Sequence, residues 1–238
     1  MTTTITPRVG GSRATGEPTG PRRSALVAGV GLLAMTVIGV FANFVAIDAL
    51  VTDGDPVTTA ADIADSETLF RFGILGLAAV AALDIVVAWA LGDTFKTVHR
   101  SGARLATWFR AIYAAAMLAA ITNLLNAARA VDGGDPLNHV EAFRDAWTLS
   151  LGIFGLHLIA AGWLVWHTPW LPRVLGALVA LAGVGYVADA TGTVLSADYD
   201  TNVAAFTFFG EPLLMLWLLV HGWRAVRRPT IDLVEASA

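Results

Sequence analysis

Asp84, Arg110, His157, Asp189 and Glu211 each stand inside a stretch otherwise built mainly from Ala, Leu, Val, Ile and Gly. At the centre of an apolar helix in lipid, such a group costs about 2.5–3.5 kcal/mol unless it is paired or wet, so each demands a partner or a purpose. A carboxylate facing a guanidinium makes a charge-assisted pair. A carboxylate or imidazole facing water instead binds a proton or a small solute. Asp84 and Arg110 suit the first chemistry. Asp84 lies about 12 Å from one end of its stretch, and Arg110 about 9 Å beyond Arg104 on the next. Antiparallel neighbours joined by a short loop therefore bring the two to similar depth. The pair either fixes the register of its two helices or sits beside a substrate path.

His157, Asp189 and Glu211 form a second group, about 16, 9 and 12 Å in from the opposite end. Tyr186 lies one turn before Asp189 on the same face and is placed to donate to either acid. Pro212 follows Glu211; it removes a backbone donor and kinks or unwinds the helix there. A carboxylate beside a broken helix resembles the binding sites of membrane transporters. The same carboxylate bonded to a neighbouring histidine or tyrosine is a structural staple, and both readings stand on the sequence. His157, Tyr186, Asp189 and Glu211 are thus the candidate substrate-binding residues, with Asp84 and Arg110 the candidate structural ion pair.

Other chemistries find no residues. The chain has no cysteine, which removes disulfides, thiolate nucleophiles, iron–sulfur clusters and cysteine-ligated zinc. His99, His139, His167 and His221 fall in loops or at helix ends, so a three-histidine zinc site cannot be assembled around His157. No H-E-x-x-H, G-x-S-x-G or phosphate-binding glycine loop occurs. The expectation is a protein that is not an enzyme, with no catalytic residue, metal or cofactor. Two loops, Thr52-Asp53-Gly54-Asp55-Pro56 and Val131-Asp132-Gly133-Gly134-Asp135-Pro136, gather carboxylates that suit calcium. They lack the full EF-hand spacing and its terminal glutamate, and turn chemistry accounts for Asp-Gly and Asp-Pro with less machinery.

The elements that must position these side chains are six apolar stretches, near 24–47, 69–92, 104–127, 146–167, 172–195 and 203–223. Each is long enough to cross a bilayer. Lipid cannot hydrogen-bond a bare backbone, and no strand-like alternation is present, so the spans are helices. The fold class is all-α: a six-helix transmembrane bundle over 24–224. A disordered cytoplasmic tail over 1–23 precedes it, rich in Thr, Gly, Pro and Arg, and a second cytoplasmic tail, 225–238, follows. Hydrophobic residues are 56% and charged residues 14%, against roughly a quarter charged in soluble domains. The apolar run from Ala25 to Ile47 exceeds a signal-peptide core and ends in no clean cleavage site, so it reads as a retained anchor.

Orientation follows from Lys and Arg. Of 15 such residues, eleven lie in the two tails and in the loops after the second and fourth spans. Arg71, Arg129 and Arg144 lie on the opposite side, and Arg110 is within a span. Both termini are therefore expected in the cytoplasm of a multi-pass protein of the bacterial inner membrane. Trp89, Trp108, Trp163, Trp166, Trp170 and Trp223 fall near the same ends, where an indole buries its ring and keeps its N–H wet.

The two Asp/Gly/Pro loops echo each other, and so do Gly73-Ile74-Leu75-Gly76-Leu77 and Gly152-Ile153-Phe154-Gly155-Leu156. Both echoes have a spacing of 79 residues. With Gly210-Glu211 they suggest three related helical hairpins. Gly73, Gly76, Val80 and Asp84 share a face of the second span, and Ala111, Ala115 and Ala119 a face of the third; both read as packing stripes.

In order, the motifs are Leu83-Asp84-Ile85-Val86-Val87-Ala88-Trp89-Ala90-Leu91, Trp108-Phe109-Arg110-Ala111-Ile112-Tyr113 followed by Asn123, and Phe154-Gly155-Leu156-His157-Leu158. Leu171-Pro172-Arg173-Val174-Leu175-Gly176, Ala182-Gly183-Val184-Gly185-Tyr186 and Gly210-Glu211-Pro212 before Leu216-Trp217-Leu218-Leu219 complete the set. Together with Arg23 before the first span, they resemble domain of unknown function 4386, a family of small bacterial integral membrane proteins. The resemblance covers about 24–224 and implies a six-helix membrane protein without implying an activity. The residues themselves favour a transporter of a small solute or proton, against a non-catalytic scaffold or sensor whose buried polar groups only lock helix packing. The partners expected are the lipid bilayer and that solute or proton, with no nucleic acid; nothing in the sequence sets an oligomeric state.

Overall fold

The computed structural model describes residues 20–226 apart from 197 and 200, and every regular element among them is helical. The elements are α1 (Gly20–Val40), a π-helical turn (Phe41–Val45), a 3-10 turn (Asp48–Leu50), α2 (Pro56–Asp65), α3 (Glu67–Phe95), α4 (Arg100–Arg129), α5 (Pro136–Trp166), α6 (Arg173–Leu195), α7 (Ala204–Thr207) and α8 (Gly210–Val226). Six helices are long and apolar enough to cross a bilayer, at Arg23–Leu50, Glu67–Phe95, Arg100–Arg129, Pro136–Trp166, Arg173–Leu195 and Ala204–Trp223. Both expected tails lie outside the described residues for the most part, residues 1–19 at one end and 227–238 at the other.

Backbone contacts run α1–α3–α4–α5–α6–α8 and return from α8 to α1, so the six spans form a closed ring in chain order. Short loops dictate most of this: the spans that they join have no room to be anything but antiparallel neighbours. The longer connections carrying α2, residues 130–135 and residues 196–203 gather at one end, here the long-loop end. The outer surface of the ring is apolar, with Phe72, Leu75, Trp89, Trp108 and Val174 exposed, as a lipid-covered surface requires.

Both Asp-Pro loops start helices. Asp55 accepts from Val57 N and Thr58 N at 3.1 and 3.0 Å, and Asp135 accepts from Asn138 N at 3.0 Å. Pro56 and Pro136 occupy the first helical turn, where a missing N–H costs nothing. Gly54 and Gly133 hold φ of 76° and 126°, which side-chain-bearing residues rarely adopt. The second cap lengthens a span. The polar stretch after Pro136, outside the expected span 146–167, forms the first turns of α5, which runs unbroken for 31 residues.

The last span is broken, and proline is the cause. Without an N–H on Pro212, the Phe208 carbonyl loses its partner four residues on and accepts from Glu211 N instead, at 3.2 Å. The helix therefore breaks at Phe208–Phe209, one turn before the proline. Gly210 restarts it against α6, where a Cβ would lie 2.5 Å from Leu178 backbone atoms.

Small residues set the seams, though not all those expected. Gly73 and Gly76 bring α3 onto Ala42 and Ala46, while Gly152 and Gly155 bring α5 onto α6. The echoed glycines thus serve non-equivalent seams. At Gly155 a Cβ would come within 2.5 Å of Gly183 O, so only glycine permits that crossing. On α4 the stripe is different from the expected one: Ala115 and Ala119 are exposed, and Tyr113, Ala114, Met117 and Ala120 are buried. Alanines line both faces of this helix, so composition alone could not pick the packing side.

Candidate functional site

Inside the ring lies a cavity of about 390 Å³ to which all six spans contribute. Its walls are mainly Leu, Val, Met and aromatic side chains, interrupted by Thr36, Asn43, Asp84, Arg110 and Glu211. The π turn Phe41–Val45 widens the first span at this depth, and Asn43 from that turn donates to Asp48 Oδ2 at 2.8 Å. Such turns in otherwise α-helical spans are frequent at functional sites.

Asp84 on α3 and Arg110 on α4 face each other across the cavity wall, Arg110 Nε lying 2.7 Å from Asp84 Oδ1. Their side chains are 1% and 2% exposed. The Nε–H is not aimed along the contact, so this is an ion pair rather than a well-directed hydrogen bond. Arg110 has two further partners. Its Nη1 donates to His157 Nε2 at 3.3 Å, and its Cζ lies 5.1 Å from the Phe154 ring centroid, within cation–π range. A guanidinium has no acceptor, so His157 Nε2 must accept and Nδ1 carries the proton, donating to Ala106 O at 2.8 Å. The imidazole is neutral and fully used.

Glu211 differs from these. It lines the cavity from the restarted helix α8, and its carboxylate has no hydrogen bond or ion pair among the described residues. Tyr186, on α6, lines the same cavity, and its hydroxyl likewise has no partner among them. Tyr113 is engaged: Trp147 Nε1 donates to its hydroxyl at 3.3 Å.

Asp189 belongs elsewhere. Its Oδ1 accepts from the Tyr199 hydroxyl at 2.7 Å and from Val203 N at 2.9 Å, and its Oδ2 accepts from Ala204 N at 2.8 Å. The carboxylate ties down the 196–203 loop and caps α7. The tyrosine that donates to it is Tyr199, not Tyr186, and that hydrogen bond to the carboxylate holds the Tyr199 hydroxyl above its ordinary pKa. Asp189, Tyr199 and Arg144 border a second cavity of about 520 Å³ at the long-loop end. Leu151, Tyr186 and Phe208 line both cavities and form the partition between them.

The sequence-selected residues therefore separate into three settings. Tyr186 and Glu211 share the central cavity with Asp84 and Arg110. His157 stands one layer behind, against Arg110. Asp189 anchors a loop one cavity further out. The sequence reading missed Arg144, which binds Asp48 at 3.1 Å and Asp53 at 2.7 Å and clamps the first long loop to α5. An arginine on the acid-rich side of the bundle was the available signal. Among the described residues, no group of three or more His, Cys, Asp or Glu is close enough to hold a metal ion.

Fold and site together define a polytopic helical membrane protein with a mainly apolar cavity that carries a few ionisable groups. The chain belongs to the family described as Domain of unknown function (DUF4386), whose sequence model matches residues 27–222. It is similar to a protein of Archaeoglobus fulgidus titled "Uncharacterized protein", 30% identical over 151 residues that cover 63% of this chain and 84% of the relative. No solved structure matches the chain.

Proposed function

We propose that the protein is a proton-linked transporter of a small solute, with its site in the central cavity around Glu211 and with both termini on the cytoplasmic side of the cell membrane. One observation carries the reading: Glu211 faces a cavity bounded by all six spans and has no partner among the described residues. A carboxylate kept in such a place for packing alone would be bonded, as Asp189 is. A free one is available to a proton or a solute. The broken last span supports the same reading, since a helix interrupted beside a carboxylate is how transporters expose binding groups at depth. The basic asymmetry of the loops supports the orientation.

A scaffold or sensor is the competing reading, and it draws support from Asp84, Arg110, His157 and Asp189, whose bonds are internal. Glu211 divides the two. The chain has no native cysteine, so Met215→Cys, on the cavity wall, can be probed alone. In sealed vesicles it is expected to react with a membrane-impermeant thiol reagent. In vesicles loaded with a pH-sensitive dye, a member of a panel of small amines and acids should move protons, and Glu211→Gln should abolish that movement. An unreactive Met215→Cys together with no proton movement would establish the scaffold.

A further inference from the structure

The central cavity has a ligand chemistry written into its walls. Six aromatic side chains line it, Phe44, Tyr113, Trp147, Phe154, Tyr186 and Phe208. Four of them are continuous: Trp147 bonds Tyr113, whose ring centroid lies 4.7 Å from that of Phe154, and Phe154 meets Tyr186 edge-on at 5.7 Å. Among the lining residues the formal charges are Asp84, Arg110 and Glu211. Arg110 is matched by Asp84, which leaves the Glu211 carboxylate as the unbalanced charge whenever it is ionised. An aromatic wall with one free carboxylate attracts a cation twice over, through the ring quadrupoles and through Coulomb attraction among mainly apolar walls. The wall already does so once, since Phe154 takes the Arg110 guanidinium on its face.

We propose that the cavity binds an organic cation, an amine or quaternary ammonium with an apolar body, with Glu211 as its counter-ion and Tyr113, Trp147, Tyr186 and Phe208 around its charge. This deepens the transport reading and rests on it. An anion would meet the wrong balance: the guanidinium is already neutralised by Asp84, and the ring faces repel negative charge. A neutral solute would leave Glu211 buried without a partner. The long-loop cavity fits the same cargo, because Tyr186 and Phe208 line both spaces and present rings to a cation on its way between them.

Two probes of similar size and opposite charge test the proposal on the purified full-length chain by direct calorimetric binding. Benzyltrimethylammonium is expected to bind and phenylacetate not to. Glu211→Gln should weaken the cation at least tenfold without changing the unfolding temperature by more than a degree or two. Tyr186→Leu should weaken it about tenfold, whereas Tyr186→Phe, which keeps the ring and loses only the hydroxyl, should bind as the wild type does. That last contrast separates a ring–cation contact from a hydrogen bond and from general damage to the fold. Phenylacetate binding in place of the cation, or no binding by either probe, overturns the proposal. The transport reading falls with it only if Met215→Cys is also closed to thiol reagents; an open cavity that rejects the cation leaves a solute site of different chemistry.

Discussion

Arg110 bridges Asp84 and His157, holding the carboxylate at 2.7 Å through Nε and the imidazole at 3.3 Å through Nη1. Three spans, α3, α4 and α5, thus share one buried guanidinium. Asp84→Leu or Arg110→Leu strands a charge in low dielectric and is expected to cost about 3–5 kcal/mol in detergent. The double mutant should regain most of that loss, because no charge is left alone. Recovery will stop short by about 1–3 kcal/mol, since His157 Nε2 still lacks its donor. Thermal unfolding of the four proteins reads both terms; simple addition of the two single losses would mean that the pair does not act as a unit.

Asp189 and Glu211 should respond oppositely to neutralisation. Asp189→Ala leaves the Val203 and Ala204 amides without their acceptor and is expected to cost about 3 kcal/mol. Glu211→Gln has no bond among the described residues to lose, so its stability should match the wild type within about 0.5 kcal/mol. Unfolding in denaturant measures both. A large loss for Glu211→Gln would make that residue a staple.

Tyr199 supplies a pH signature outside the membrane. Its hydroxyl donates to Asp189, so its ionisation is pushed up. A group whose folded pKa is raised contributes stability that is complete below the unfolded value, about 10 for tyrosine, and is lost as pH rises through the folded value. The 196–203 loop should therefore hold its anchor through neutral and mildly alkaline pH. Asp189→Ala should move the Tyr199 transition downward in an ultraviolet titration, and an unmoved transition would show that the hydroxyl is not bonded to Asp189.

Asp55 provides the complementary case at acid pH. The Thr58 amide and hydroxyl, with the Val57 amide, hold its carboxyl below the ordinary value of 3.8. A lowered folded pKa contributes stability above the unfolded value and loses it as pH falls through the folded one. Hydrogen exchange at the start of α2 should therefore stay slow down to about pH 4 and rise only below it. Asp55→Ala should show fast exchange at all pH values.

Topology can be read with single cysteines. Thr58, Asn138 and Ser196 are exposed at the long-loop end and Ser101 at the opposite end. Cysteines at the first three should react with an impermeant reagent on intact cells, and one at Ser101 only after permeabilisation. The reverse pattern would invert the proposed orientation.

Hydropathy made the spans legible because lipid leaves the chain one way to satisfy its backbone, and helix ends then followed to within a few residues except on α5. There the polar stretch 137–146 gave no sign of continuing the span, although Asp135 and Pro136 are a complete helix start. Matched depth brought Asp84 and Arg110 together on paper. The same arithmetic hid His157, which was counted from the opposite end of the bundle, so its level with Arg110 near the middle went unseen. Asp189 was misplaced for a different reason. Its partners are the Val203 and Ala204 amides and a tyrosine ten residues on, and backbone donors carry no sequence signature. The aromatic lining was equally hidden, since Tyr113, Phe154 and Tyr186 carry no mark in the sequence that separates them from lipid-facing aromatic residues.

The α1–α8 contact has a consequence for how the protein is made. Every other wall of the ring joins helices that are consecutive spans, so each can form as the growing chain inserts. The α1–α8 wall joins the first span to the last, through Gly29 against Leu219 and Gly222 against Leu26. It can assemble only after the sixth span has been made. Until then the barrel of helices is a horseshoe with five staves, and the carboxylate of Glu211 has not yet been delivered to its interior. A nascent chain therefore carries the Asp84–Arg110 pair, already neutralised within one hairpin, before the Glu211 carboxylate is made. The last stave brings the charge and the closure in the same step.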